Sequence, residues 1–459
     1  MLVKSKVKSR FLCEKCGNES PQWEGKCSFC GEWNTLVEFS QDNANPSNSR
    51  NWFGQGSLPA QKLSEISLQE LPRFPLTSLE VSRVLGGGIV PGTVVLLSGD
   101  PGIGKSTLLL QTAADVAVSN GSALYVTGEE SMAQVKMRAD RLGIDVDNLL
   151  LLQTTVLAEI MDHLDRIKPS LAVVDSIQTV YDDSSSATPG SVTQVRDCTR
   201  VLIQWAKTSG VPIILTGHVT KGGDIAGPRL LEHMVDVVLY MEGESISSWR
   251  LLRAEKNRFG SSNEVGVFEM SNSGLIDISD PSKAFLSERK EGTLGSIVVP
   301  TLEGTRPILV EVQALTSQST LPSPRRVATG VEFNRLLLIC AVLSRRAGIS
   351  LANQDIVVNV TGGLRLSEPA VDLGIALAIV SSLKNIPVKS NVAAFGEIGL
   401  NGEIRGVPHF ARRIEEASRL NLQGCLIPAS PNIEKDHLQG FKTITVETVT
   451  QAMQLSFSK

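Results

Sequence analysis

Two sets of residues in this chain have the types and spacing to handle a nucleoside triphosphate. The first is the run Gly99-Asp100-Pro101-Gly102-Ile103-Gly104-Lys105-Ser106-Thr107. A loop of this kind turns backbone N–H groups toward a β-phosphate and sets a helix N-terminus against its charge. It also puts Lys105 on the β and γ oxygens and offers the Ser106 hydroxyl to Mg2+. The second set is the carboxylates that end apolar stretches downstream. Asp175 closes "LAVVDS", where it can hold the magnesium through water. Glu129 closes "ALYVTGEES", where a carboxylate can orient the attacking water. Glu130 is the second choice for that role, or else an acid at the start of the helix that follows. His218, after "VPIILTG", either senses the γ-phosphate or is an ordinary loop histidine.

A third set binds metal. Four of the seven cysteines fall as Cys13-x2-Cys16 and Cys27-x2-Cys30, with Gly17 and Gly31 just after each pair. Two thiolate pairs on tight turns can surround one Zn2+ tetrahedrally, and four sulfurs leave no open position, so the metal is structural. Two disulfides are disfavoured in a reducing cytosol, and a redox C-x-x-C would want a thioredoxin-like context that is absent. Cys198, Cys340 and Cys425 stand alone in apolar or helical stretches and read as small core residues.

These groups need a scaffold, and 459 residues with 42% hydrophobic content suffice for roughly two or three domains. Residues 1–36 form the zinc module and 37–64 a linker rich in Asn, Ser, Gly and Gln. Residues 65–275 alternate apolar strands with amphipathic helices, and "TVVLLSG" followed by "STLLLQTAADVAV" sets the phosphate loop between strand and helix. Residues 276–459 form a further domain that opens on strands. The fold class is therefore α/β: a small zinc-ribbon-like module, a P-loop ATPase core and an α+β C-terminal domain. A net charge of -4 excludes a broadly basic surface, so any contact with DNA must be local. Lys4, Lys6, Lys8 and Arg10 read as a solvated tail. No run reaches the roughly 20 apolar residues of a membrane span and no signal peptide is evident, which implies a cytoplasmic protein without membrane partners.

The cysteine module, "GDPGIGKST", "YVTGEES", "VVDSIQT", "GHVTKGGDIAGPRLLEHMVD" and "KNRFG" occur in that order, and with them nearly the whole chain resembles the RadA (Sms) family of bacterial DNA repair proteins. The resemblance implies a RecA-like core and a DNA-stimulated, helicase-like ATPase that processes recombination intermediates. It further implies a homohexameric ring that moves on single-stranded and branched DNA, promotes branch migration and works beside a RecA-type recombinase. Lys256 and Arg258 match positions where related rings supply cations to a neighbour's nucleotide. The alternatives for these two are a basic turn closed by Gly260 or a direct DNA contact. DNA would lie along "DDSSSATPGSVTQVRD" (182–197), with Arg196 at its end, and "KGGDIAGPR" (221–229), with Lys221 and Arg229. Plain surface connections are the competing reading.

The C-terminal region resembles the proteolytic domain of the Lon protease, a Ser-Lys hydrolase. At the matching positions stand Glu368-Pro369-Ala370-Val371-Asp372 and, later, Ala411, so both nucleophile and base are alanines and acyl-enzyme chemistry is excluded. Arg325, Arg326, Arg335, Arg345, Arg346, Arg365, Arg412 and Arg413 could meet phosphates or form ion pairs. The competing function is an ATP-regulated, protease-like adaptor acting on proteins. A kinase of the circadian-clock type would leave the zinc module and the Lon-like domain without a reason, and such proteins usually carry two phosphate loops.

Overall fold

The computed structural model describes residues 10–13, 19–20, 22–28, 31–39, 73–218, 228–243, 248–290, 292–389, 391–429 and 441–457. It divides into two compact units. The first holds residues up to 241 with 254–262 and 272–275, and the second holds 242–253, 263–271 and the chain from 276 onward. Among the described residues, no helix is long and apolar enough to cross a membrane.

At the N-terminus β1 (Arg10–Cys13) lies between β2 (Glu19–Ser20) and β3 (Leu36–Phe39), antiparallel to both. Its core is Cys13, Cys27 and Leu36, with Phe11 packed against them. So small a core cannot close a stable domain by itself, which is the usual reason for a structural metal.

The rest of the first unit is a wound α/β structure. Its elements are α1 (Leu79–Leu85), β4 (Val94–Gly99), α2 (Lys105–Ser119), β5 (Ala123–Thr127), α3 (Met132–Arg141), β6 (Leu149–Gln153), α4 (Leu157–Ile167), β7 (Leu171–Asp175), α5 (Val192–Ser209), β8 (Ile213–His218), α6 (Pro228–Met234) and β9 (Val237–Glu242). The strands lie in the order β9-β4-β8-β7-β5-β6, all parallel. Strands covered on both faces must be apolar throughout, and β4, β5 and β7 are buried at every position. On one face the strand side chains meet Leu157, Ile160 and Leu164 of α4 and Leu202 and Trp205 of α5. Cys198 belongs to the same core, and burial pushes its thiol up to about 12.

One expectation fails here. Residues 192–197, read in the sequence as the end of a loop, are the first turns of α5. Ser191 caps this helix by accepting from Gln194 N–H, and the Gln194 amide ties down the preceding turn through Asp182 N (3.0 Å), Asp182 O (3.1 Å) and Ala187 O (2.9 Å). Polar composition alone cannot show a cap that works through side-chain bonds to the backbone.

The chain continues through β10 (Trp249–Asn257), β11 (Val265–Ser271), which pairs antiparallel with β10, and β12 (Gly274–Asp277). The second unit adds α7 (Pro281–Leu286), β13 (Ser296–Glu303), β14 (Arg306–Gln318), β15 (Arg326–Thr329), α8 (Phe333–Arg346), β16 (Gln354–Val360), α9 (Asp372–Lys384), β17 (Val392–Ala394), β18 (Glu397–Ile398), β19 (Ile404–Arg405), α10 (Phe410–Arg419), β20 (Gly424–Pro428), β21 (Lys442–Val446) and α11 (Val449–Ser456). Seven of these strands form a mixed sheet in the order β15-β16-β14-β13-β17-β20-β21. Helix α9 is buried at every position from Asp372 to Ser381, as its nearly unbroken apolar sequence requires.

Ala370 is 1% exposed, whereas Ala411 lies exposed on α10. Near both in sequence is a charge pair. Arg413, 0% exposed, donates to Glu368 Oε1 (2.7 Å) and Oε2 (2.5 Å) and to Pro300 O (2.8 Å). Glu368 also accepts from Thr301 Oγ1 and Leu302 N, each at 2.8 Å. Removing one member of such a pair strands the other in a low-dielectric interior. We expect Arg413→Ala to lower the unfolding free energy by about 3–5 kcal/mol in urea melts that follow the second unit. A loss below about 1 kcal/mol would show that the pair contributes little to the fold.

Candidate nucleotide-binding site

Strand β4 lies between β8 and β9, and its last residue starts the phosphate loop. Gly99 has φ +149°, and a Cβ there would lie 2.5 Å from Met241 O, so only glycine lets the loop leave the sheet at this point. Pro101 and Gly102 are exposed and Ile103 is buried. Gly104 precedes α2, and Lys105, Ser106 and Thr107 form the first turn of that helix.

Lys105 is 4% exposed, and its Nζ donates to Gly99 O (2.8 Å) and Asp100 O (3.0 Å). Burial lowers the pKa of this ammonium, while Asp175, Asp100 and Glu129 act in the opposite sense. Its hydrogen-bond partners are neutral carbonyls, so the charge faces the loop without a hydrogen-bonded anion. An anionic phosphate would supply what the loop lacks, and the residues present therefore fit ATP with Mg2+.

Asp175 ends β7 at 8% exposure, and both of its carboxylate oxygens are held. Tyr125 on β5 donates to Oδ2 (2.6 Å), and Thr216 on β8 donates to Oδ1 (2.7 Å). Burial and the neighbouring carboxylate raise the Tyr125 phenol well above its ordinary value, which keeps it a donor. The Asp175–Ser176 peptide bond is cis, and the Ser176 hydroxyl donates to Glu129 Oε1. The Glu130 carboxylate is paired with Arg138, and its backbone N–H and C=O both bond Thr127 Oγ1 (3.1 and 2.8 Å). Of the two glutamates, Glu129 is the one joined to the Asp175 strand.

The remaining candidate residues lie as follows. His218 ends β8, and Arg229 falls in α6, but the side chains of both lie outside the described residues, as does Lys221 altogether. Lys256 donates to Glu232 O (2.8 Å), His233 O (3.3 Å) and Val235 O (2.8 Å), at the C-terminal end of α6. Burial lowers its pKa, with Arg258 as a further cause. The Arg258 side chain is 55% exposed and reaches Asp236 at 3.3 Å. Arg196 pairs with its neighbour Asp197 at 3.1 Å. Arg326 is turned onto the carbonyls of Gln354 and Leu351, and Arg346 onto Leu400 O (3.2 Å) and Asn401 Oδ1 (3.3 Å). Arg325 and Arg345 are exposed, and no ion pair involves either among the described residues.

Sequence reasoning missed Tyr125, Thr216 and Ser176. The signal was a hydroxyl inside an otherwise apolar strand, because a buried polar atom must find a partner. It missed Asp236 as well, which is 4% exposed and accepts from Val94 N (3.0 Å), Lys207 Nζ (2.5 Å) and Arg258.

In the N-terminal module Cys13 and Cys27 are 0% and 2% exposed. Gly31 N donates to Cys27 O (2.9 Å) and Cys27 N to Glu32 O (2.8 Å), a tight reversal of the kind that carries paired thiolates. Cys16 and Cys30 lie outside the described residues. The Cys13 thiol donates to Thr35 Oγ1 (3.1 Å), and two buried sulfurs in so small a core fit a structural zinc.

Family models match three parts of the chain: an AAA domain over residues 71–224, the rubredoxin metal binding domain over 11–38, and the subunit ChlI of Mg-chelatase over 311–431. Proteins named DNA repair protein RadA are similar along almost the full length. The protein of Bacillus subtilis strain 168 is 49% identical over 455 residues, covering 98% of this chain and 99% of that one. The protein of Haemophilus influenzae is 48% identical over 449 residues, covering 97% and 98%, and that of Escherichia coli K12 is 46% identical over 454 residues, covering 98% of each. A solved KaiC-like protein from Pyrococcus horikoshii OT3 matches 45% of this chain and 99% of its own, at 22% identity and a TM-score of 0.39.

Lys105→Ala should abolish ATP turnover while leaving the circular dichroism spectrum and melting profile near wild type; normal turnover in that variant would remove the site assignment. Chelation of zinc should open residues 11–35 to proteolysis without loss of basal ATP turnover. Cleavage of the ATPase core at the same rate would show instead that the module supports the whole first unit.

Proposed function

The chain belongs to the RadA family of DNA repair proteins, and from that premise we propose that it is a cytoplasmic, ATP-driven motor acting on DNA. In this reading it is a DNA-stimulated, helicase-like ATPase in homohexameric rings on single-stranded and branched DNA. It promotes branch migration of strand-exchange structures beside a RecA-type recombinase.

The observation that carries the reading is the arrangement at the ends of β4 and β7. With ATP bound, Lys105 would meet the β and γ oxygens, Ser106 and, through water, Asp175 would hold Mg2+, and Glu129 would orient the water for attack. The metal, when bound, withdraws charge from the phosphoryl group in transfer. Arg258 is the cation offered to a neighbour's nucleotide. It is exposed and sits on a short turn held by side chains: Phe259 N donates to Asn257 Oδ1 (2.9 Å) and Arg73 to Phe259 O (2.6 Å). Lys256 supports that turn through the end of α6, where its three ammonium donors are engaged. A cation held rigidly in trans stabilises the transition state and couples hydrolysis to subunit movement.

Lys221 and Arg229 follow the central strand β8 and, with Arg325 and Arg345 of the second unit, are the proposed phosphate contacts. The second unit is a Lon-protease-like scaffold without proteolytic activity. That reading is supported by Ala370 and Ala411 at the nucleophile and base positions, and by Glu368, whose carboxylate is wholly engaged by Arg413, Thr301 and Leu302.

The deciding experiment compares ATP turnover with and without single-stranded DNA at low salt and saturating ATP. The reading predicts a several-fold stimulation that fades as salt rises, and turnover indifferent to DNA would count against a motor. Arg258→Ala should lose strand displacement and branch migration while DNA binding survives; unchanged translocation would end the trans-cation role.

A further inference from the structure

Glu129 is exposed, and an exposed glutamate ordinarily samples several rotamers, which disperses the direction in which it can hold a water. Here it is restrained from two sides. Its carboxylate accepts the hydroxyl of Ser176, a residue 0% exposed and 47 positions away in the chain. Its backbone is fixed through Gly128, whose N–H donates to Asp175 O (2.9 Å) and whose missing Cβ makes room for Thr179. A Cβ at Gly128 would lie 2.0 Å from Thr179 Oγ1.

Thr179 in turn donates its hydroxyl to Ser176 O (2.8 Å), and Ile177, 0% exposed, anchors the single turn between them. Residues 128–129 and 176–179 thus close on one another. The closure is built on the residue directly after Asp175. The Asp175 carboxylate and the Glu129 carboxylate are thus both referred to the same end of β7.

We propose that Ser176 is a positioning residue for ATP hydrolysis: its hydroxyl holds Glu129 in the rotamer from which that carboxylate orients the attacking water. This rests on the hydrolytic reading of the site given above. It predicts an effect on the chemical step and none on nucleotide binding, since Ser176 touches Glu129 and not the phosphate loop.

The test is a double-mutant cycle in the full-length protein, with kcat and KM for ATP from steady-state turnover and affinity from a fluorescent mant-nucleotide. Ser176→Ala should lower kcat about tenfold with KM and mant-nucleotide affinity within about twofold of wild type. In a Glu129→Gln background the same substitution should change the residual rate less than about twofold, because the group it positions is gone. Wild-type kcat in Ser176→Ala, while Glu129→Gln is impaired, overturns this inference alone. So does an undiminished tenfold loss in the Glu129→Gln background, or loss of nucleotide affinity in Ser176→Ala, either of which makes the role structural. Wild-type turnover in Glu129→Gln overturns the assignment of Glu129 and this inference with it.

Discussion

Two opposite charges, the Lys105 ammonium and the Asp175 carboxylate, are withdrawn from water at the same end of the parallel sheet, and the first unit is arranged around that cost. Neither would survive burial alone, since an ion in an apolar interior loses far more hydration than a distant partner returns. The fold compensates each separately. Neutral carbonyls of the phosphate loop take the ammonium, and hydroxyls from the strands on either side of β7 take the carboxylate. Because these partners come from β4, β5 and β8, the strand order itself holds the charges in place. One cation and one anion thus stand at the ends of β4 and β7, a pairing that fits a polyanion with its metal.

Asp236 repeats the device at the start of β9. It is buried, accepts from the first backbone N–H of β4, and draws Lys207 and Arg258 toward it. One carboxylate therefore registers β9 against β4 and steadies the turn that presents Arg258. The same side chain links the strand that carries the phosphate loop to Arg258, the cation proposed for a neighbour's loop. The link is buried at Asp236 and half-exposed at Arg258, whose side chain is 55% exposed.

The sequence made legible whatever depends on local spacing: the phosphate loop between strand and helix, the carboxylates at strand ends, the paired cysteines and the apolar runs of β4, β5 and β7. Hidden were the partners that arrive from elsewhere in the chain. Tyr125, Thr216 and Ser176 reach Asp175 and Glu129 only when β5, β7 and β8 lie side by side, and no spacing rule connects positions 125, 176 and 216. Lys256 shows the same limit from the other side. As a residue type it is a free cation, and in the fold its donors are spent on backbone carbonyls, which are invisible to a reading of side chains. The arginines of the second unit divide in the same way. Arg413 and Arg326 are consumed internally, whereas Arg325 and Arg345 remain at the surface.

The proposed trans role of Arg258 implies that each nucleotide site is completed by a neighbouring copy, so that hydrolysis would depend on assembly. Complementation between two inactive variants tests it most directly. Chains carrying Lys105→Ala keep a sound Arg258, and chains carrying Arg258→Ala keep a sound phosphate loop. Mixed in equal amounts with ATP and single-stranded DNA, the two should regain turnover that neither shows alone. A mixture as inactive as its components, although mixed assemblies form, would contradict the account.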